Sequence, residues 1–99
     1  MGRECNVQHK ILEYCKAAGL WAVKVHSDEV QGSGIPDILL CYKGFLVACE
    51  TKAGTGRLRP SQVLHMRQIR ESGGIAEQVN TFEQFKRILI RIDTGTTNG

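Results

Sequence analysis

Two carboxylates and one amine lie at the ends of two neighbouring apolar segments of the chain. Asp37 begins the first segment, and Glu50 and Lys52 close the second. Side chains alternate between the two faces of a strand, so Glu50 and Lys52 point one way and Thr51 points the other. The short connection at residues 42–44 allows the segments to pair as an antiparallel hairpin. Pairing would bring Asp37 close to Glu50 and Lys52.

Carboxylates from two adjacent strands form a site of hard oxygen ligands. Such sites suit Mg²⁺ or Mn²⁺, which keep several waters and bind one or two carboxylates plus a substrate phosphate. The backbone carbonyl of Thr51 lies between Glu50 and Lys52 and is a candidate third ligand. Lys52 would then lie within reach of a phosphate oxygen or of the attacking water. The pattern predicts a metal site that acts on a phosphate group.

Each of these residues also has an ordinary structural explanation. An aspartate after proline can form a turn at the start of a strand, and Glu50 with Lys52 can form an ion pair on a solvated strand end. The three together, preceded by a loop at residues 27–34 that contains two glycines, favour the metal site.

Composition places the chain among ordinary soluble domains. It has 99 residues, 41% of them hydrophobic and 23% charged, with a formal net charge of +3. This length predicts one domain, and the mild positive charge permits a nucleic-acid partner without requiring one. No apolar run approaches the roughly 20 residues that cross a bilayer, and no signal region begins the chain. We therefore expect a cytoplasmic protein with no membrane partner, and reduced cysteines.

The apolar pattern predicts an α/β domain with the element order α-β-β-β-α-β-α. The predicted elements are a helix at 3–18, strands at 20–26, 36–41 and 45–52, a helix at 60–72, a strand at 75–79 and a helix at 82–91. The hairpin strands are expected to be antiparallel, and the last strand is expected to be parallel through a right-handed crossover. The prediction is a mixed sheet flanked by helices, formed by residues 1–93, with a disordered tail at 94–99.

Helical spacing also predicts which side chains face the core. In the middle helix the predicted inward stripe is Val63, Met66, Ile69 and Gly73. The last helix is expected to start at a capping box of Thr81 and Gln84 and to pack through Phe82, Phe85, Leu89 and Ile92. Trp21, Tyr42 and Phe45 are expected in the core, although they are also the candidates for an apolar surface that pairs two copies.

The motifs of the chain, taken in order, resemble one nuclease family. Gly34-Ile35-Pro36-Asp37, Glu50-Thr51-Lys52, Leu58 to Gln62 and Gly73-Gly74 resemble the small VRR-NUC domains of the PD-(D/E)XK nuclease superfamily. The resemblance extends from Glu4 to the last helix and implies a restriction-endonuclease-like core. The family usually has valine in the middle of the second motif. Because that residue acts through its backbone, the threonine found here is expected to matter little.

The resemblance implies the ligands of a metal ion. Asp37 and Glu50 would bind Mg²⁺ or Mn²⁺ together with the Thr51 carbonyl. Glu4 in the first helix matches a further metal-binding glutamate of the family. Glu4, with Gln8 one turn on, would then border the site; its ordinary alternative is a favourable charge at the positive end of the helix dipole.

The resemblance also implies catalytic and DNA-binding residues. Lys52 would be the catalytic lysine, and Gln62 would form hydrogen bonds within the active site. Ser33, Arg57 and Arg59, on the loops beside the site, are the predicted DNA contacts. The implied reaction is hydrolysis of a DNA phosphodiester by in-line attack of water.

Stand-alone members of the family are similar in fold to archaeal Holliday junction resolvases, which implies a homodimer acting on branched DNA. Resolving a junction needs two cuts, and one small domain with one site supplies only one. The stand-alone size suggests a phage origin. Three alternatives stay open: a nicking or flap nuclease, a partner-dependent restriction-like subunit, and a non-catalytic DNA-binding module on a nuclease fold.

Overall fold

The seven predicted elements occur in the predicted order. The structure is a computed structural model that describes residues 3–26, 34–52 and 57–95, with the side chains of residues 3–5 excepted. The elements are α1 Arg3–Ala17, β1 Ala22–Lys24, β2 Ile38–Tyr42, β3 Phe45–Thr51, α2 Pro60–Glu71, β4 Ile75–Val79 and α3 Phe82–Thr94. The α/β prediction with the order α-β-β-β-α-β-α is therefore confirmed.

The four strands form one mixed sheet in the order β1-β2-β3-β4. The pairs β1–β2 and β2–β3 are antiparallel, and β3–β4 is parallel. The hairpin between β2 and β3 turns at Lys43 and Gly44, which both have positive φ, 50° and 89°. Two central residues with positive φ suit the tight turn whose twist matches a hairpin. This turn fixes the register in which Ile38 lies opposite Cys49.

β1 is shorter than predicted, although its pairing continues one residue beyond each end. The Cys41 N–H donates to the Trp21 carbonyl at 3.1 Å, and the Val25 N–H donates to the Asp37 carbonyl at 2.7 Å. The second of these bonds fixes the backbone of Asp37 against the neighbouring strand.

The larger part of the core lies between the sheet and the pair of helices α1 and α3. Its buried members are Val7, Ile11, Cys15, Ile38, Leu40, Val47, Cys49, Val79, Phe85, Ile88, Leu89 and Ile92. The ring of Tyr14 packs edge-on against Phe82 and Phe85, with centroids 6.0 and 5.8 Å away. The predicted capping box is present, since the Gln84 N–H donates to Thr81 Oγ1 at 3.2 Å and the Thr81 N–H to Gln84 Oε1.

A smaller core lies beneath α2, on the opposite face of the sheet. Ala48, Met66 and Ala76 are buried there, with Leu39, Leu58 and Ile69 packed around them. The predicted inward position of Gly73 is wrong, since this residue is exposed and lies beyond the last residue of α2, Glu71. That of Val63 is also wrong, since its side chain is 49% exposed. The residue before it, Gln62, is buried instead. Gln62 and Met66 lie one turn apart on the inward stripe, which turns Val63 towards solvent.

The predicted core position of Trp21 is also wrong, because its side chain is 56% exposed. Its neighbour Ala22 packs against the larger core. Trp21 lies just before the edge strand β1 and lines an open surface pocket with Leu12 and Lys16 of α1, so it stays at the margin of the core. Tyr42 and Phe45 are half-buried against the larger core, as expected.

Cys15, Cys41 and Cys49 are free thiols. Burial raises the pKa of Cys49 to about 12, so this thiol behaves as a small apolar core residue. α3 continues to Thr94, the first residue of the predicted tail, and residues 96–99 lie outside the described part. In the described ranges no helix combines the length and apolar character that crossing a membrane requires.

Candidate active site

The β2–β3 hairpin sets the two predicted carboxylates opposite each other. Asp37 immediately precedes β2, and the register that pairs Ile38 with Cys49 places Asp37 opposite Glu50, one step further on. Asp37 lies two residues before Leu39, whose side chain packs beneath α2, so alternation assigns Asp37 to the same face as Glu50. Side chains directly opposite on one face are close neighbours, with Cβ atoms roughly 4.5–5.5 Å apart.

The Asp37 carboxylate is held along one edge by Thr51. Its Oδ2 accepts hydrogen bonds from the Thr51 N–H at 3.0 Å and from the Thr51 hydroxyl at 2.8 Å. Among the described residues, Oδ1 of Asp37 has no hydrogen-bond partner. The carboxylate is therefore fixed in orientation while one oxygen is left for a ligand.

The Glu50 carboxylate is buried beneath the start of α2, with 2% of the residue exposed. Its Oε2 accepts a hydrogen bond from Gln62 Nε2 at 3.0 Å, and Gln62 Oε1 accepts one from the Arg59 N–H at 2.7 Å. Both ends of the Gln62 amide are thus occupied. A buried carboxylate is costly without such bonds, so the inward turn of Gln62 is explained by the charge of Glu50.

Lys52 lies on the same side of β3 as Glu50, as alternation requires. Its Nζ is 3.7 Å from Glu50 Oε2, and its side chain is 21% exposed. The amine therefore lies beside the buried carboxylate and retains access to solvent. This is a position from which it can contact a bound anion.

The opposite side of the site is closed by a residue of α1. Gln8 Nε2 donates a hydrogen bond of 2.7 Å to Thr51 Oγ1, and both side chains are buried. The motif comparison assigned Thr51 only a backbone role, yet its side chain joins Gln8 to Asp37. An interior polar residue on α1, paired with a threonine where valine is usual, is the sequence signal that could have revealed this link.

Gly34 brings the segment before Asp37 against α2. It is buried with φ of +91°, and a Cβ built there would lie 2.6 Å from the Ser61 carbonyl carbon and 2.7 Å from its oxygen. Only glycine permits this approach. The contact joins the residue three positions before Asp37 to the residue preceding Gln62.

Comparison with known proteins supplies the fold family. No family model matches the chain, and no curated protein matches it either. A solved structure of a VRR_NUC domain superposes with a TM-score of 0.75 and 24% sequence identity, over 91% of this chain and 97% of that one. The chain has the VRR-NUC fold. Within that fold, Asp37, Glu50 and Lys52 lie together at the end of the β2–β3 hairpin.

The remaining predicted site residues do not join Asp37, Glu50 and Lys52 through any side chain that the structure describes. Ser33 lies outside the described residues, as does the side chain of Glu4, whose backbone lies in α1 one turn before Gln8. Arg57 and Arg59 are exposed just before α2. Arg59 contributes its backbone N–H to Gln62, and the arginine side chains are left to face solvent.

The carboxylates of Asp37 and Glu50 are oxygen donors of the kind that suits a hard divalent cation. In the portion of the chain that the structure describes, no three His, Cys, Asp or Glu side chains form a metal-binding group. Two carboxylates from adjacent strands, one with an oxygen not engaged by described residues, nevertheless match the way Mg²⁺ binds through one or two carboxylates and several waters. An all-oxygen set with no cysteine or histidine does not suit Zn²⁺.

Proposed function

We propose that this chain is a metal-dependent endodeoxyribonuclease that hydrolyses phosphodiester bonds in branched DNA. The observation that carries the proposal is the meeting of Asp37, Glu50 and Lys52 at one end of the β2–β3 hairpin in a chain with a nuclease fold. A buried glutamate beside a lysine and opposite an aspartate is a costly arrangement for stability alone. Such a cluster of charges is what a site that binds a cation and a phosphate requires.

Asp37, Glu50 and the Thr51 carbonyl would hold Mg²⁺ or Mn²⁺, and Glu4 is a further candidate ligand. The bound ion would lower the pKa of a bound water and offset the negative charge that builds on the phosphoryl group. Gln62 keeps the Glu50 carboxylate in place through its bond to Oε2. Thr51 does the same for Asp37 from the other side.

Lys52 would act on the substrate directly. Its amine donates to an oxygen of the scissile phosphate and stabilises charge in the transition state. Ser33, Arg57 and Arg59 would bind backbone phosphates on either side, which orients DNA without reading its sequence. Such contacts predict salt-sensitive binding.

Cleavage of a set of DNA substrates tests the proposed reaction. We expect Mg²⁺-dependent cleavage of a four-way junction in preference to a flap, a nicked duplex and a plain duplex of the same sequence. Preference for the flap or the nick would favour the alternative nuclease activities. Tight junction binding without cleavage of any substrate, in Mg²⁺ or Mn²⁺, would favour a non-catalytic DNA-binding module.

A homodimer would supply the second cut that a junction needs. Two-fold pairing presents two identical sites, and Trp21 is the exposed member of the three aromatic residues considered for the interface. We expect light scattering to give twice the mass of one chain. A monomeric mass at the concentration used for cleavage would contradict paired cutting and leave nicking as the activity.

A further inference from the structure

We propose that the Thr51 side chain and Gln8 are positioning residues that set the orientation of the Asp37 carboxylate for metal binding. The inference rests on the proposed function and extends it to two residues for which the nuclease motif requires no side-chain role. The observation is a continuous hydrogen-bond chain, from Gln8 Nε2 to Thr51 Oγ1 at 2.7 Å and from Thr51 Oγ1 to Asp37 Oδ2 at 2.8 Å.

The direction of the Thr51 hydroxyl follows from its two partners. A hydroxyl has one proton to donate and two lone pairs that accept. Because an amide N–H of Gln8 donates to Thr51 Oγ1, the hydroxyl proton is directed to its other neighbour, Asp37 Oδ2. Gln8 therefore orders the proton that Thr51 presents to the carboxylate.

The same oxygen of Asp37 also accepts the Thr51 N–H at 3.0 Å. Two donors from one residue hold Oδ2, while among the described residues none bonds to Oδ1. The two donors occupy both lone pairs of Oδ2, which favours one orientation of the carboxylate. With the hydroxyl removed, one donor remains and the carboxylate can rotate about it.

Burial makes this arrangement rigid. Gln8 and Thr51 have 7% and 0% of their surface exposed, so water does not readily replace either partner. The hydrogen-bonded series of side chains also joins α1 to the end of β3, on the face of the sheet opposite to the one that Gln62 contacts. The two carboxylates are thereby held from opposite faces, Asp37 through α1 and Glu50 through α2.

Calorimetric titration of the metal-free protein with Mn²⁺, and separately with Mg²⁺, tests the inference without relying on activity. Thr51→Val retains the size of the side chain and the backbone N–H, and it is expected to weaken metal binding roughly 10–100-fold, as is usual when a residue that orients a ligand is lost. Thr51→Ser restores the hydroxyl and is expected to bind within about twofold of the wild type.

Gln8→Met and the double variant Gln8→Met/Thr51→Val separate positioning from stability. Thr51→Val alone leaves a buried amide without its acceptor, so thermal stability falls. The double variant removes both polar groups and is expected to regain stability while its metal affinity stays as low as that of Thr51→Val. Gln8→Met alone is expected to weaken metal binding less, with no further effect once Thr51 is valine.

Wild-type affinity in Thr51→Val overturns the inference, as does weak binding by Thr51→Ser. Recovery of both stability and metal affinity in the double variant would also overturn it, because the hydroxyl would then serve only to satisfy Gln8. These results would leave the proposed nuclease intact, provided that the wild type binds metal. Absence of binding by the wild type would contradict the proposed metal-dependent function and the inference together.

Discussion

Glu50→Gln is expected to abolish cleavage and metal binding while it raises the free energy of unfolding of the metal-free protein by about 1 kcal/mol. The substitution keeps the shape of the side chain, and the Gln62 amide can still donate to an amide oxygen at that position. It removes a charge from a residue that is 2% exposed. Lys52 loses an ion-pair partner, but its partly exposed side chain can carry the amine into water.

Lys52→Met is the matched variant on the other half of the ion pair. It is also expected to abolish cleavage, but it removes the cation 3.7 Å from the buried carboxylate and should lower the free energy of unfolding by about 1–2 kcal/mol. Urea unfolding of the two metal-free variants measures whether the free energy of unfolding rises in Glu50→Gln and falls in Lys52→Met, each relative to the wild type. If Glu50→Gln were less stable than the wild type, the interpretation of Glu50 as a stability cost kept for function would be wrong.

Gly34→Ala is expected to destabilise the protein by about 3 kcal/mol and to reduce cleavage more than unfolding alone explains. The substitution forces a side chain into a backbone conformation with φ of +91° and sets its Cβ 2.6 Å from a backbone atom of Ser61. To relieve this clash, the segment before Asp37 and the first turn of α2 must move apart. That movement would pull Gln62 away from Glu50, so the loss should appear in cleavage at temperatures where the variant is still folded.

Gly19→Ala is the control for backbone strain alone. Gly19 also has positive φ, +72°, but a Cβ there would meet nothing within 4 Å. We expect a cost of about 1 kcal/mol and unchanged cleavage by the folded protein. Ser61→Gly is not expected to rescue Gly34→Ala, because two of the three close atoms belong to the Ser61 backbone. Equal effects of the two alanine substitutions on stability and cleavage would contradict a positioning role for Gly34.

The hairpin was predictable from sequence because its information is local. Two apolar segments joined by the short connection at residues 42–44 indicate a hairpin that brings Asp37 close to Glu50 and Lys52. The register that sets Asp37 opposite Glu50 depends on the two-residue turn at Lys43 and Gly44, which the structure shows. The faces of Glu50 and Thr51 likewise follow from alternation alone. The meeting of Glu50 with Gln62 depends on a helix from a later part of the chain, and only the family resemblance indicated it.

Two of the errors in burial, those at Val63 and Trp21, have the same kind of cause. Apolar spacing assigned Val63 inwards and gave no weight to a buried carboxylate that needs a hydrogen-bond donor, so the rotation of α2 was misjudged. Trp21 was predicted in the core, whereas it lies just before the edge strand β1, at the margin of the surface that α1 covers. In both cases tertiary contacts decide a position that local pattern leaves open.

The side-chain role of Thr51 could not be derived from the motif, since a motif records residue types and not their partners. Its hydroxyl gains significance only when α1 brings Gln8 within 2.7 Å. The same holds for Gly34. Its sequence position does not show that a side chain is excluded there, because the residue that excludes it, Ser61, is distant in sequence. Long-range contacts of this kind explain why Asp37 and Glu50 could be named as candidate ligands from the sequence, whereas the contributions of the Thr51 side chain and of Gly34 could not.

The most direct test of the account is cleavage of a four-way DNA junction by the wild type and by Lys52→Ala, each with Mg²⁺ and with excess chelator. Calorimetric unfolding of both proteins establishes that the variant is folded. We expect junction cleavage by the wild type in Mg²⁺ only, and a reduction of at least about a thousandfold in the variant, equivalent to about 4 kcal/mol of transition-state stabilisation. Cleavage that persists in chelator, or equal cleavage by Lys52→Ala, would contradict this expectation.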